Sequence, residues 1–139
     1  AEGVAALGNP GPNRPAKQEP LGEILNEAFA GLPEEQRADI QKALGLLKED
    51  TKAITLRFGP ACDCSMGVPS ALHNVATHSG FAAGVRTNIL ACGDSCGRAM
   101  VIGPLLGALY GEGGENGIPQ EWLETTIVSD RARELVKRA

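Results

Sequence analysis

The stretch that decides the fold is CGDSCGRAMVIGPLLGALYG, from Cys92 to Gly111. Its first six residues form a glycine-rich turn. An apolar run follows this turn, and Arg98 is the only charged residue in the run. The run predicts an apolar helix, which Pro104 should kink or interrupt because proline has no backbone N–H and its ring meets the preceding turn. Such a helix would stay exposed unless more of a helical core, or a partner, covered it.

Glycines recur at every fourth position of this helix, at Gly103, Gly107 and Gly111. Small residues spaced in this way lie along one side of a helix and let another helix approach closely. The apolar run is far too short to span a membrane. The repeat therefore predicts close packing of two helices within the protein.

Helical patterns continue on both sides of this stretch. Pro33 and Pro119 suit the first turn of a helix, and Ser70 and Ser129 are the expected N-caps. The segments with helical spacing are LGEILNEAF (21–29), LPEEQRADIQKALGLLKED (32–50), ALHNVATH (71–78), FAAGVRTNILA (81–91), IPQEWLETTI (118–127) and SDRARELVKRA (129–139). No segment has the pattern of a strand. The sequence thus predicts an all-α, compact helical bundle.

The N-terminal segment has a different composition. GNPGPNRPAKQEP, residues 8–20, contains four prolines and two glycines and has no apolar periodicity. Such a composition predicts an extended arm rather than a packed element. We therefore expect an arm over residues 1–20 and a helical domain over residues 21–139. Because the chain begins without methionine, we also expect that an upstream segment was removed. The domain over residues 21–139 is expected to be a fragment or a truncated version.

Charge and cysteine content limit the classes of function. The net charge of −4 and the isoelectric point near 5.2 offer no attraction for nucleic acid or anionic lipid. No apolar stretch is long enough for insertion into a membrane. Four cysteines in a helical chain of 139 residues are not needed as disulfide staples. We expect reduced thiols in an intracellular compartment, either the cytosol or an organelle matrix or stroma.

The turn before the apolar helix contains the candidate chemical groups. Asp94 follows a glycine and is expected to be the N-cap of the helix, with metal binding as the alternative. Cys96 lies near the amino end of the helix, where exposed N–H groups favour a thiolate. It is therefore a candidate reactive thiol together with Cys92, and the alternative is a small, buried residue at a tight turn.

The remaining cysteines and the histidines carry weaker signals. Cys62 and Cys64, with Cys92 and Cys96, could form a zinc or iron–sulfur site, but the spacing lacks the usual knuckle pattern. His73 and His78 are five residues apart, which does not suit a pair of ligands on one helix face. We interpret both histidines as structural.

Four motifs in fixed order resemble the C-terminal part of the ADP-ribosylglycohydrolase family. They are VPSALH (68–73), VRTNILACGD (85–94), VIGPLLGALYG (101–111) and IPQEWLE (118–124). The J-type branch, which contains jellyfish lens crystallins and selenoprotein J, is the most similar one, because FGPAC (58–62) and GDSCGRAMVIG (93–103) have near-equivalents there. The resemblance implies an all-helical fold considerably longer than this chain.

The resemblance also implies a metal site. Active members of the family hold two magnesium ions with carboxylates from an N-terminal motif and from a C-terminal Asp-Thr-Asp-Thr turn. On this chain Asp94 matches the first carboxylate of that turn and Ser95 the hydroxyl residue after it. Cys96 stands at the position of the second carboxylate and Gly97 at that of the second hydroxyl. A soft thiol is a poor ligand for magnesium, although selenoprotein J has selenocysteine at the position of Cys96.

These expectations lead to three hypotheses of function. The first is a non-catalytic structural or interaction protein without a cofactor, which acts as a subunit of, or a tether to, a larger protein assembly. The second is a magnesium-dependent hydrolase that binds ADP-ribose, uses Asp94 and Ser95, and has its N-terminal half outside this chain. The third is a thiol redox protein that uses Cys92 and Cys96. The sequence favours the first hypothesis, and hence a protein that is not an enzyme.

Overall fold

The computed structural model describes residues 29–136. The described part does not include the predicted arm, residues 21–28 of the predicted helix 21–29, or residues 137–139. Within it the helices are α1 Glu34–Leu44, α2 Thr51–Phe58, α3 Cys64–Thr77, α4 Phe81–Leu90, α5 Ser95–Tyr110, α6 Gln120–Thr125 and α7 Ser129–Val136. Between residues 29 and 136 the one β feature is an isolated bridge between Glu112 and Ile118. The prediction of an all-α fold is confirmed.

Helix α3 is the centre of the bundle and packs against α1, α2, α4 and α5. Its Ala71 and Val75 join Ile102 and Leu106 of α5 in the main apolar cluster. On another side of α3, Leu72 packs with Ile40 of α1. None of the helices in the described chain is both long and apolar enough to cross a lipid bilayer.

The start of α3 differs from the prediction. Ser70 is not an N-cap, because its hydroxyl lies inside the helix and donates to the carbonyl of Met66 at 3.1 Å. Asp63 caps α3 instead, and its Oδ1 accepts hydrogen bonds from the backbone N–H and the hydroxyl of Ser65 at 2.7 and 2.6 Å. These two bonds hold the pKa of Asp63 below its ordinary value. The helix therefore begins seven residues earlier than expected and includes Pro69.

Helix α2 was not predicted, because the segment 32–50 resembles one long helix. Helix α1 ends at Leu44, with Gly45 after it. The carboxylate of Asp50 then accepts a hydrogen bond from the N–H of Ala53 at 2.8 Å and begins α2. A glycine favours the end of a helix and an aspartate the start of the next one. Gly45 thus follows the end of α1 within the segment, and Asp50, its last residue, begins α2.

Helix α5 runs through Pro104 without interruption, so of the two expected effects of this proline the interruption is wrong. Proline deprives the carbonyl of Met100 of its helical partner, but Met100 is 76% exposed, so water can take that place. Within residues 29–136 the glycine stripe shows no close helix approach, and a Cβ atom at Gly107 would make only ordinary contacts with the side chains of Ile118 and Phe81, at 3.9 and 4.0 Å. A Cβ atom added at Gly103 or Gly111 would have no described neighbour within 4 Å. The close approach occurs at Gly84 of α4, where a Cβ atom would overlap the side chain of Leu106.

Candidate functional site: the turn before α5

The turn between α4 and α5 is an unusually tight piece of backbone. Cys92 and Gly93 both have positive φ angles, 66° and 64°, a conformation that is rare for residues with a Cβ atom. The N–H of Asp94 then donates to the carbonyl of Pro60 at 2.8 Å. The loop before α3, which carries Cys62, is thereby attached to the turn before α5.

Asp94 is the N-cap of α5, as the sequence predicts. Its Oδ1 accepts a hydrogen bond from the N–H of Gly97 at 3.0 Å. The carboxylate lies so close over Gly97 that a Cβ atom there would overlap its Oδ2. With Asp94 in this conformation, position 97 has no room for a residue larger than glycine.

The most buried charge in this region belongs to Arg98, which is only 3% exposed. Its Nε donates to Oδ1 of Asn88 at 2.8 Å, and one terminal nitrogen donates to the carbonyls of Asn88 and Cys92 at 3.2 and 2.5 Å. Asn88 in turn donates from Nδ2 to the carbonyl of Ser95 at 2.9 Å. Burial lowers the pKa of Arg98, while nearby Asp94 acts in the opposite direction.

Through these hydrogen bonds Arg98 joins α5 to Asn88 of α4 and to the carbonyl of Cys92 in the turn. In the sequence, Arg98 stands out only as the lone charge of the apolar run, and no role was predicted for it. A signal was present, because a charged residue in the middle of an apolar helix needs partners when it is buried.

The four cysteines are free and exposed. Cys96 is on the outside of the first turn of α5, so the alternative of a buried small residue is wrong for it. The thiol of Cys92 donates a long hydrogen bond to the carbonyl of Leu90 at 3.5 Å. The reactivity of Cys92 and Cys96 stays a prediction. In residues 29–136 no group of three or more histidine, cysteine, aspartate or glutamate side chains is placed to hold a metal ion.

The donor set of the turn does not fit the two magnesium ions that the family resemblance implies. Magnesium prefers oxygen ligands in octahedral geometry, usually carboxylates. The turn offers one carboxylate, on Asp94, which is already engaged as a cap. The next side chains are the hydroxyl of Ser95 and the thiol of Cys96, and a thiol is a soft ligand that magnesium does not favour.

The capping role of Asp94 gives a direct prediction. Replacing Asp94 by alanine should lower the free energy of unfolding by about 1 kcal/mol, because the N–H of Gly97 loses its acceptor. Asparagine is an equally good cap, so Asp94→Asn should stay close to the wild type. Urea denaturation followed by circular dichroism checks both variants. Equal losses for the two variants would mean that the charge of Asp94, rather than its capping bond, stabilises the turn.

Comparison with known proteins supports the resemblance found in the sequence. The sequence model of the family described as ADP-ribosylglycohydrolase matches residues 2–139. No curated protein and no solved structure matches the chain.

Proposed function

The chain belongs to the ADP-ribosylglycohydrolase family, and on that premise we propose that it is a non-catalytic member that works by binding another protein. The proposal has two parts, which rest on different observations. The first part concerns the turn before α5 and the loss of catalysis. The second part concerns the outer surface of α5 and the partner.

The observation that carries the first part is the position of the Asp94 carboxylate. It is folded back onto Gly97 as a helix cap, and it occupies the space that a hydroxyl-bearing side chain at that position would need. Cys96 also replaces the carboxylate that the family places there. Two of the four positions of the family's metal turn therefore lack an oxygen ligand, and the remaining carboxylate has a structural task. This arrangement supports a turn that stabilises α5 in place of one that binds magnesium.

The second part rests on the outer face of α5, defined here as Met100, Pro104 and Ala108. All three residues are exposed, and Met100 is 76% exposed. Because the only charge of α5, Arg98, is buried, this face carries no charge. Exposed apolar surface of this kind is typical of protein interaction sites. Gly103 leaves open space beside this face, so we propose that an apolar helix of a partner protein packs there.

The experiment that tests the first part measures the release of ADP-ribose by the protein isolated from its natural source. Peptides with N-linked or O-linked ADP-ribose are incubated with and without magnesium. We expect no release by the wild type, and no change of melting temperature when magnesium is added. Magnesium-dependent release that disappears in Asp94→Asn, a variant that keeps the cap, would contradict the proposal and support the alternative of a magnesium-dependent hydrolase.

The partner is tested with a photo-cross-linking residue at position 100 and, as a matched control, at the exposed position Gln36 of α1. We expect position 100, but not position 36, to cross-link to an apolar helix of another protein. Met100→Glu should abolish the complex and change the stability of the isolated chain by less than about 0.5 kcal/mol, because Met100 is exposed. Cross-links confined to this chain or to a second copy would contradict the proposed partner.

A further inference from the structure

His73 of α3 is a fully buried histidine in which only one of the two ring nitrogens has a hydrogen-bond partner. Its Nε2 lies 3.1 Å from the carbonyl of Leu46, in the turn that joins α1 and α2. A carbonyl can only accept, so Nε2 carries the proton and the neutral ring leaves Nδ1 as an acceptor. Nδ1 is buried and has no hydrogen-bond partner in the described structure. The ring is therefore held by one bond, which attaches α3 to the α1–α2 turn.

We propose that His73 is an acid-sensitive latch: a proton taken from solvent at Nδ1 releases the α1–α2 turn, residues 45–50, from α3. The added proton creates a second N–H donor at a buried position that offers it no acceptor, and it places a full positive charge in the packed interior. Both changes disfavour the closed arrangement. The hydrogen bond to Leu46 favours the charged ring, but it gives the new N–H at Nδ1 no acceptor. The neutral ring therefore fits the closed turn better than the protonated ring does.

The charged groups around His73 determine where the protonated ring can go. His78, the residue that follows α3, disfavours a second positive charge, while Glu49 and Asp50, at the end of the α1–α2 turn, favour it. Glu49 is paired with Arg57 through both carboxylate oxygens at 2.9 Å, and Asp50 caps α2. The carboxylates that favour the imidazolium thus belong to the α1–α2 turn, and we expect a protonated ring that leaves its buried position to move towards that turn.

Burial is the largest influence on this ring and lowers the pKa of His73 below its ordinary value of 6.5. The unfolded chain consequently binds the proton at a higher pH than the folded chain does. Stability is complete above pH 6.5 and is lost as the pH falls from there towards the folded-state pKa. In that interval the equilibrium constant for unfolding rises by up to about tenfold per pH unit for this one proton.

Nuclear magnetic resonance of the isotope-labelled full chain tests the latch between pH 7.5 and 4.5. We expect the His73 ring to titrate below pH 6.5, and the amide signals of residues 46–50 to shift with the same midpoint. In His73→Gln the amide nitrogen can still donate to the carbonyl of Leu46 but does not titrate, so this shift should vanish. His78→Asn is the matched control, because it removes the other histidine, which is partly buried, and should keep the shift.

Two results would overturn the latch. In the first, the amides of residues 46–50 keep their titration in His73→Gln. In the second, the ring of the wild-type protein titrates at or above pH 6.5, as an exposed histidine does. The wild-type comparison needs no variant, since unequal midpoints for the ring and for the amides of the turn are sufficient to reject the proposal even where a variant does not fold.

Discussion

Replacing Arg98 by methionine is expected to lower the free energy of unfolding by about 3 kcal/mol. The substitution leaves the buried side-chain oxygen of Asn88 and the partly buried carbonyl of Cys92 without their donor, and a buried group left unsatisfied costs about 1 to 3 kcal/mol. Removing the cost of burying the guanidinium group offsets only part of this loss. Urea denaturation followed by circular dichroism measures the difference.

The control for this prediction is Arg131→Met on α7. Arg131 pairs with Glu134 at 3.2 Å, but both side chains are more than half exposed, so the loss should be smaller than about 0.5 kcal/mol. Arg98→Lys adds a test of geometry, because lysine keeps the charge but lacks the planar group that reaches two residues at once. We expect the free energy of unfolding of Arg98→Lys to fall by most of the amount by which that of Arg98→Met falls. Full stability of Arg98→Lys would show that charge alone holds the turn.

The second large effect is expected for Gly93→Ala, at about 3 kcal/mol. Alanine at a φ angle of 64° costs about 1 to 2 kcal/mol by itself. Its Cβ atom would in addition overlap the carbonyl, Cβ and Cα atoms of Pro60, which belong to backbone or ring and cannot rotate away. The loop before α3 would have to move, and the hydrogen bond from Asp94 to Pro60 would be lost.

Gly114→Ala is the matched control for Gly93→Ala. Gly114 has nearly the same backbone angle, with φ of 68°, but a Cβ atom there would have no described neighbour within 4 Å. This variant should therefore show the conformational cost alone, about 1 kcal/mol. The difference between the two variants measures the contact between the turn and Pro60. Equal losses would mean that this contact contributes nothing to stability.

The sequence predicted the helical class and the capping role of Asp94, because both follow from local patterns. It did not predict the start of α3, since Ser70 and Asp63 are both good caps and only the fold shows which one is used. The role of Arg98 depends on Asn88, which is ten residues away, and on the path of the turn between them. The glycine stripe predicted a close helix approach that the described residues do not show. The spacing of residues indicates which of them share a helix face, but not whether another helix packs against that face.

The same limit applies to the candidate site. The motif order identified the turn and the substitution of Cys96 for a carboxylate. The overlap between Asp94 and any side chain at position 97 could be found only from the conformation of the cap. Likewise, the spacing of His73 and His78 led to structural roles for both, while the unpartnered Nδ1 of His73 required the packed surroundings of the ring.

The polar connection between α4 and α5 also has a consequence for the order of folding. Asn88 contacts Ser95 and Arg98, which are seven and ten residues away along the chain, so its hydrogen bonds close only short loops. Short loops carry a small entropic cost, and contacts between near neighbours in sequence form early. The pair α4–α5 can thus assemble early as a hairpin, and we expect its hydrogen bonds to form before those that join more distant segments.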